Sequence, residues 1–144
     1  MEPLPHHYPV QARSKPAGSV TLSAPGLPAL SSSPPREFDG PGNEWSPESL
    51  LCAAVADCFT LTFRAIAQAS KLAWDTLDVS VEGTVDRAEG GMRFTALGIR
   101  ARLAVPAGTP AERAQRLLEK AEKGCLVTRS LAVAPSLTAE VVGA

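Results

Sequence analysis

The run LLCAAVADCFTLTFRAIAQA, Leu50 to Ala69, carries twenty residues without a glycine or a proline, and only Asp57 and Arg64 within it are charged. A breaker-free apolar stretch of this length is too long for an ordinary strand and reads as a helix. Its start is sharp. Ser46 is placed to cap it, Pro47 suits the first helical position, and Glu48 favours the positive end of the helix dipole. Leu51, Ala54, Cys58, Leu61, Ala65 and Gln68 recur at three- and four-residue steps, so this is the expected core-facing row, with Cys58 on it. The other face is also mostly Ala, Val, Phe or Ile, which predicts a buried central helix. One thin sheet in a chain of 144 residues covers such a helix poorly, so its second side is expected to meet a partner subunit.

The segments around this helix indicate strands and one further long helix. Residues 1–44 are rich in Pro, Gly and Ser, with short alternations at Tyr8 to Gln11 and Ser19 to Ser23 that predict two or three short strands. SSSPPREFDGPGNEW, Ser31 to Trp45, reads as a loop without regular structure, because its prolines remove donors and its glycines free the backbone. Beyond the helix, Thr76 to Val85 and Arg93 to Val105 flank the turn signal RAEGGM and predict a hairpin. Thr109, Pro110 and Glu112 then form a capping-box pattern with proline first, opening an amphipathic helix that Gly124 is expected to terminate. CLVTRSLA reads as a short helical turn, and LTAEVV as a closing strand. The order of elements predicts an α+β fold in a single domain spanning 1–144, with a strand-and-loop part over 1–44 and a helix, hairpin, helix and strand over 45–144.

Charge says little about partners and composition little about membranes. Fourteen basic against fifteen acidic residues give a net charge of -1, which argues against a nucleic-acid or anionic-membrane partner. Arg113, Arg116, Lys120 and Lys123 alternate with Glu119 and Glu122, the pattern of a solvated helix face. The first ten residues lack a basic segment followed by an apolar one, and no run reaches membrane-spanning length without charges, so the expected location is the cytoplasm. His6 and His7 sit in a Pro-rich terminus and read as tail.

Chemistry is left to the three cysteines, Cys52, Cys58 and Cys125. An odd number at spacings of six and sixty-seven residues suits neither a disulfide framework nor a zinc site, and no cofactor is expected. Cys52 leans to a different side of the helix from Cys58 and reads as core. Cys58 lies mid-helix and Cys125 just past a helix-ending glycine, where a thiolate and a second thiol can serve as attacking and capturing groups.

WSPESLLCAAVADCF and EKAEKGCLVTRSL together resemble the two signatures of the OsmC/Ohr family (osmotically inducible / organic hydroperoxide resistance proteins). The first is a helix opening on Ser-Pro-Glu with Cys-Phe ten residues after the glutamate; the second is a helix ending in Gly-Cys with Ser-Leu soon after. The resemblance covers about residues 38–144. It implies an intertwined homodimer with antiparallel sheets, a site at the subunit interface and a thiol-dependent hydroperoxide reductase. In that reading Cys58 is the peroxidatic cysteine, Cys125 the resolving cysteine, and Glu48 the site carboxylate. The substrate would be an organic hydroperoxide and the reductant an external dithiol. The family's site arginine corresponds to Arg36, with Arg13 and Arg64 as alternatives. Glu48 and Cys58 stand about 15 Å apart along one straight helix, so sharing a site requires an antiparallel partner helix.

Two departures bear on activity. Asp57 replaces a small residue beside the cysteine and would raise the thiol pKa if it faced the site. Leu126 stands where the family often has proline. The alternative reading is a non-catalytic dimer of the same fold that binds a small molecule or senses oxidant.

Overall fold

The computed structural model describes residues 1–144. The chain divides into two compact units, Met1–Leu50 and Leu51–Ala144, the division falling in the first turn of the long helix.

The first unit is a three-stranded antiparallel meander in the order β1 (Gln11–Arg13), β2 (Val20–Ser23), β3 (Leu30–Ser32). The first strand starts at Gln11, not Tyr8; Pro9 has no N–H to contribute to a ladder. Regular structure also enters the segment read as pure loop: Ser31 and Ser32 belong to β3, and Arg36–Phe38 form a 3₁₀ turn closed by Asp39 in the left-handed region. Short spans of this kind tolerate the flanking prolines because they need few backbone donors.

Helix α1 runs from Pro47 to Ala69. Ser46 caps it as expected, in a reciprocal arrangement: the Ser49 N–H donates to Ser46 Oγ at 3.1 Å, and the Ser46 N–H to Ser49 Oγ at 2.9 Å. Its far end has no glycine. Lys71 takes the left-handed conformation instead, at φ 56°, and the Leu72 N–H returns to the Ala67 carbonyl at 2.9 Å.

The buried row of α1 corrects the one expected from periodicity. Val55, Phe59, Phe63 and Ala67 are fully buried, whereas Ala54, Leu61, Ala65 and Gln68 are exposed and Cys58 is half-buried between the two faces. Both faces are apolar, so periodicity could not choose; side-chain volume does. Burying a phenylalanine is worth roughly 1.5–3 kcal/mol, far more than burying an alanine, so the row with Phe59 and Phe63 turns inward. The helix is therefore buried along one stripe of this chain. With a mean hydropathy of 1.7 over its most apolar stretch it is long and apolar enough to cross a membrane, and one stripe of it packs into the core of the second unit.

The core of the second unit joins this stripe to Leu97, Ile99, Ala101 and Leu103 of β5 and to Ala114, Leu118 and Ala121 of α2. Strands β4 (Thr76–Ala88) and β5 (Gly91–Ala104) form the expected hairpin, longer than expected and bulged at Thr84/Val85. Strand β6 (Pro135–Val142) lies on the other edge of β5 and runs parallel to it, so this sheet is mixed. A parallel neighbour needs a crossover, and α2 (Ala111–Gly124) with α3 (Leu126–Arg129) supplies it.

Two details of α2, its cap and the placement of Arg113, differ from expectation, while its end at Gly124 does not. Pro110 occupies the cap itself without a side-chain bond, and the Thr109 hydroxyl donates to the Pro106 carbonyl at 2.7 Å in place of a capping box. Gly124 is the last helical residue, and Cys125, in extended backbone at φ -66° and ψ 112°, ends the helix. Arg116, Lys120 and Lys123 are exposed, but Arg113 is half-buried and its guanidinium donates to the Ser70 carbonyl at the negative end of α1.

Candidate active site

The second unit brings Cys58 and Cys125 together. Cys58 projects from the middle of α1; Cys125 is fully buried at the junction of α2 and α3, with its thiol near enough to the Cys58 sulfur to favour the thiolate there. Both are free thiols.

Cys125 is held firmly for a residue outside any helix. Its N–H reaches the Glu122 carbonyl at 3.4 Å, while its own carbonyl accepts from the Arg129 N–H and the buried Thr128 hydroxyl, each at 3.1 Å. Thr128 thus spends its polar group on fixing this junction, which is how a buried hydroxyl avoids a desolvation cost.

The junction also aims donors at Cys58. No side chain caps α3, so its first N–H groups lack intrahelical acceptors, and those of Val127 and Leu126 favour a charged Cys58 sulfur. Partial burial pushes the Cys58 thiol up. The Val127 N–H, the Cys125 thiol, the Thr62 hydroxyl and the Leu126 N–H favour the thiolate and together outweigh that cost, leaving the pKa below the ordinary value of 9.0. All four groups are neutral. Asp57 is exposed, and the concern that it opposes the thiolate does not materialise: the net shift is downward. Leu126 contributes a peptide N–H that proline would not have.

Cys52 plays a different part, the one expected of it. It packs against the core, and a Cβ added at Gly83 of β4 would fall 2.8 Å from its sulfur and 2.6 Å from the Phe94 ring. Gly83 leaves the space that Cys52 and Phe94 fill.

The other candidate residues are distributed as follows. Glu48 lies in the first turn of α1, ten residues from Cys58 on one unbroken helix, with Oε1 buried and without a hydrogen-bond partner. Arg36 is exposed on the 3₁₀ turn of the first unit, its guanidinium folded over Gly42. Arg13 is exposed on β1, and Arg64 is exposed on α1 six residues from Cys58. His6 lies in the exposed terminus, 2.9 Å from the Glu2 carbonyl. Sequence reasoning missed the N–H groups of Leu126 and Val127 and the hydroxyl of Thr62. Backbone donors have no residue signature, but Thr62, four residues after Cys58 in a helix, was open to notice.

The family model of OsmC-like proteins matches residues 40–140. Among curated proteins, the chain is 29% identical over 100 residues to the uncharacterised YmaD of Bacillus subtilis, covering 67% of each chain. It is 27% identical over 86 residues to the peroxiredoxin OsmC of Escherichia coli, covering 60% of this chain and 59% of that one. An organic hydroperoxide resistance protein from Legionella pneumophila has a similar fold, with a TM-score of 0.71 and 24% identity over 94% of this chain and 96% of the other.

Proposed function

The chain belongs to the OsmC-like protein family, and on that premise we propose that it is a cysteine-based peroxidase reducing organic hydroperoxides in oxidative-stress defence. The observation that carries this reading is the pairing of Cys58, whose thiol is held below its ordinary pKa, with the Cys125 thiol beside it. Its similarity to a peroxiredoxin supports the same chemistry.

In the first step the Cys58 thiolate attacks the distal peroxide oxygen. The O–O bond breaks, an alkoxide leaves and takes a proton to become an alcohol, and Cys58 is left as a sulfenic acid. Cys125 then attacks that sulfur; the S–O bond breaks, an S–S bond forms, and water departs with the thiol proton. An external dithiol restores both thiols by exchange through a mixed disulfide. No bound cofactor is required. Three free thiols and a dithiol-dependent cycle suit the reducing cytoplasm, which is the proposed location.

An apolar substrate is favoured by what surrounds the thiol. Ala54 and Leu61 lie one turn to either side of Cys58, and Leu126 follows Cys125; Leu61 is 49% and Leu126 71% exposed. The same exposed row of α1 is the proposed homodimer contact. An antiparallel second copy of α1 would bring Glu48 of one subunit toward Cys58 of the other. Glu48 would orient the site arginine, for which Arg36 is the first choice, and its buried, unpartnered Oε1 is an acceptor such a cation would satisfy. Because the four groups that favour the Cys58 thiolate are neutral, the second reading is a dimer that senses oxidant without rapid turnover.

Stopped-flow mixing of the reduced protein with cumene hydroperoxide and with hydrogen peroxide separates the two. Faster reaction with the organic peroxide, sustained over many turnovers with excess dithiol, is the expected result. One slow oxidation without turnover would support the sensor instead.

A further inference from the structure

Thr62 lies one turn of α1 beyond Cys58, with its Oγ1 4.0 Å from the Cys58 sulfur. Two residues earlier, Thr60 donates its hydroxyl to the Ala56 carbonyl at 2.8 Å, the common fate of threonine inside a helix. The Thr62 hydroxyl is turned to the sulfur, and an ionised sulfur is the stronger acceptor. The methyl of Thr62 faces the other half of the pair: a Cβ placed on Gly124 would lie 3.6 Å from Thr62 Cγ2, so the methyl looks onto the backbone immediately before Cys125 across a gap about one methyl deep. One side chain thus faces both the thiol on α1 and the junction that carries the second thiol.

We propose that Thr62 is a positioning residue for the two-cysteine pair, its hydroxyl holding the Cys58 thiolate and its methyl setting how the Gly124–Cys125 backbone seats against α1. The hydroxyl role concerns the thiol alone. The methyl role rests on the reading that Cys58 and Cys125 form a disulfide, since the seat of that backbone fixes the approach of the Cys125 sulfur to a Cys58 sulfenic acid. In that step the S–O bond breaks as the S–S bond forms, and the hydroxyl leaves with the thiol proton as water.

Two near-isosteric variants separate the roles. Thr62→Val keeps the methyl and loses the hydroxyl. Iodoacetamide alkylation of Cys58, followed by mass mapping, should slow about threefold at pH 7 with its pH midpoint moved upward. Thr62→Ser keeps the hydroxyl and loses the methyl. Its alkylation profile should match the parent, while the sulfenic acid formed with cumene hydroperoxide should stay trappable by dimedone for longer. A parental alkylation profile in Thr62→Val overturns the hydroxyl role, and a parental sulfenic lifetime in Thr62→Ser overturns the methyl role. Equal losses in both variants with a fall in Tm would mark a purely structural threonine and overturn both. If the parent forms no sulfenic acid, the methyl role falls with the disulfide reading, and alkylation still decides the hydroxyl role.

Discussion

At Cys58, burial and hydrogen bonding act in opposite directions and hydrogen bonding wins. The consequence is measurable: the pH midpoint of Cys58 alkylation should lie below 9.0, whereas a midpoint at or above it would show that burial dominates. The sign carries over to stability. A thiol whose pKa falls on folding contributes stability that is fully present above the unfolded value and lost as pH drops through the folded one. Leu126 offers a backbone test of the same balance. It is the first residue of α3, a position that suits proline, and the preceding Cys125 already has the extended backbone proline demands, so Leu126→Pro should fold. It removes one N–H from the thiolate, so alkylation at neutral pH should slow; an unchanged rate would exclude that N–H as a contributor. Cys52, packed beside Gly83, should be dispensable to chemistry: Cys52→Ser is expected to keep peroxide consumption while lowering Tm.

Among the elements, α1 shows what could and could not be read ahead of the structure. Its start was legible to the residue, because Ser46, Pro47 and Glu48 each act locally. Its inward face was not, because two apolar rows compete and only the volumes of Phe59 and Phe63, set against the rest of the core, choose between them. The hairpin, β6 and α3 were likewise visible as patterns, but the parallel placement of β6 on β5 is a long-range pairing that no local window contains. Gly124, expected to terminate α2, is its last helical residue, and an added Cβ would make an ordinary contact with Thr62. Gly124→Ala should therefore stabilise the protein by about 0.5–1 kcal/mol, observed as a higher Tm. Gly83→Ala should act in the other direction, costing about 1–3 kcal/mol by denaturant unfolding, because the new methyl collides with Phe94 and Cys52. Equal behaviour of the two variants would contradict the packing described for β4.

For the whole molecule, the apolar row left on the outside of α1 is the feature one chain does not explain. Ala54, Leu61 and Ala65 on a solvent-facing helix are best accounted for by a second copy, the proposed homodimer. Sedimentation should give twice the monomer mass, and Leu61→Glu should shift the species toward monomer; a monomeric parent would remove the proposed route by which Glu48 reaches Cys58. The two candidate cysteines stand out in the sequence because family signatures mark them, whereas no one arginine does, since Arg13, Arg36 and Arg64 are all exposed and no local pattern separates them. The central claim is that Cys58 and Cys125 form one redox pair, and peptide mapping after a single equivalent of cumene hydroperoxide tests it most directly. Loss of two thiols and a Cys58–Cys125 linked peptide is expected, with Cys52 still free. Retention of all three thiols, or a bridge through Cys52, would contradict it.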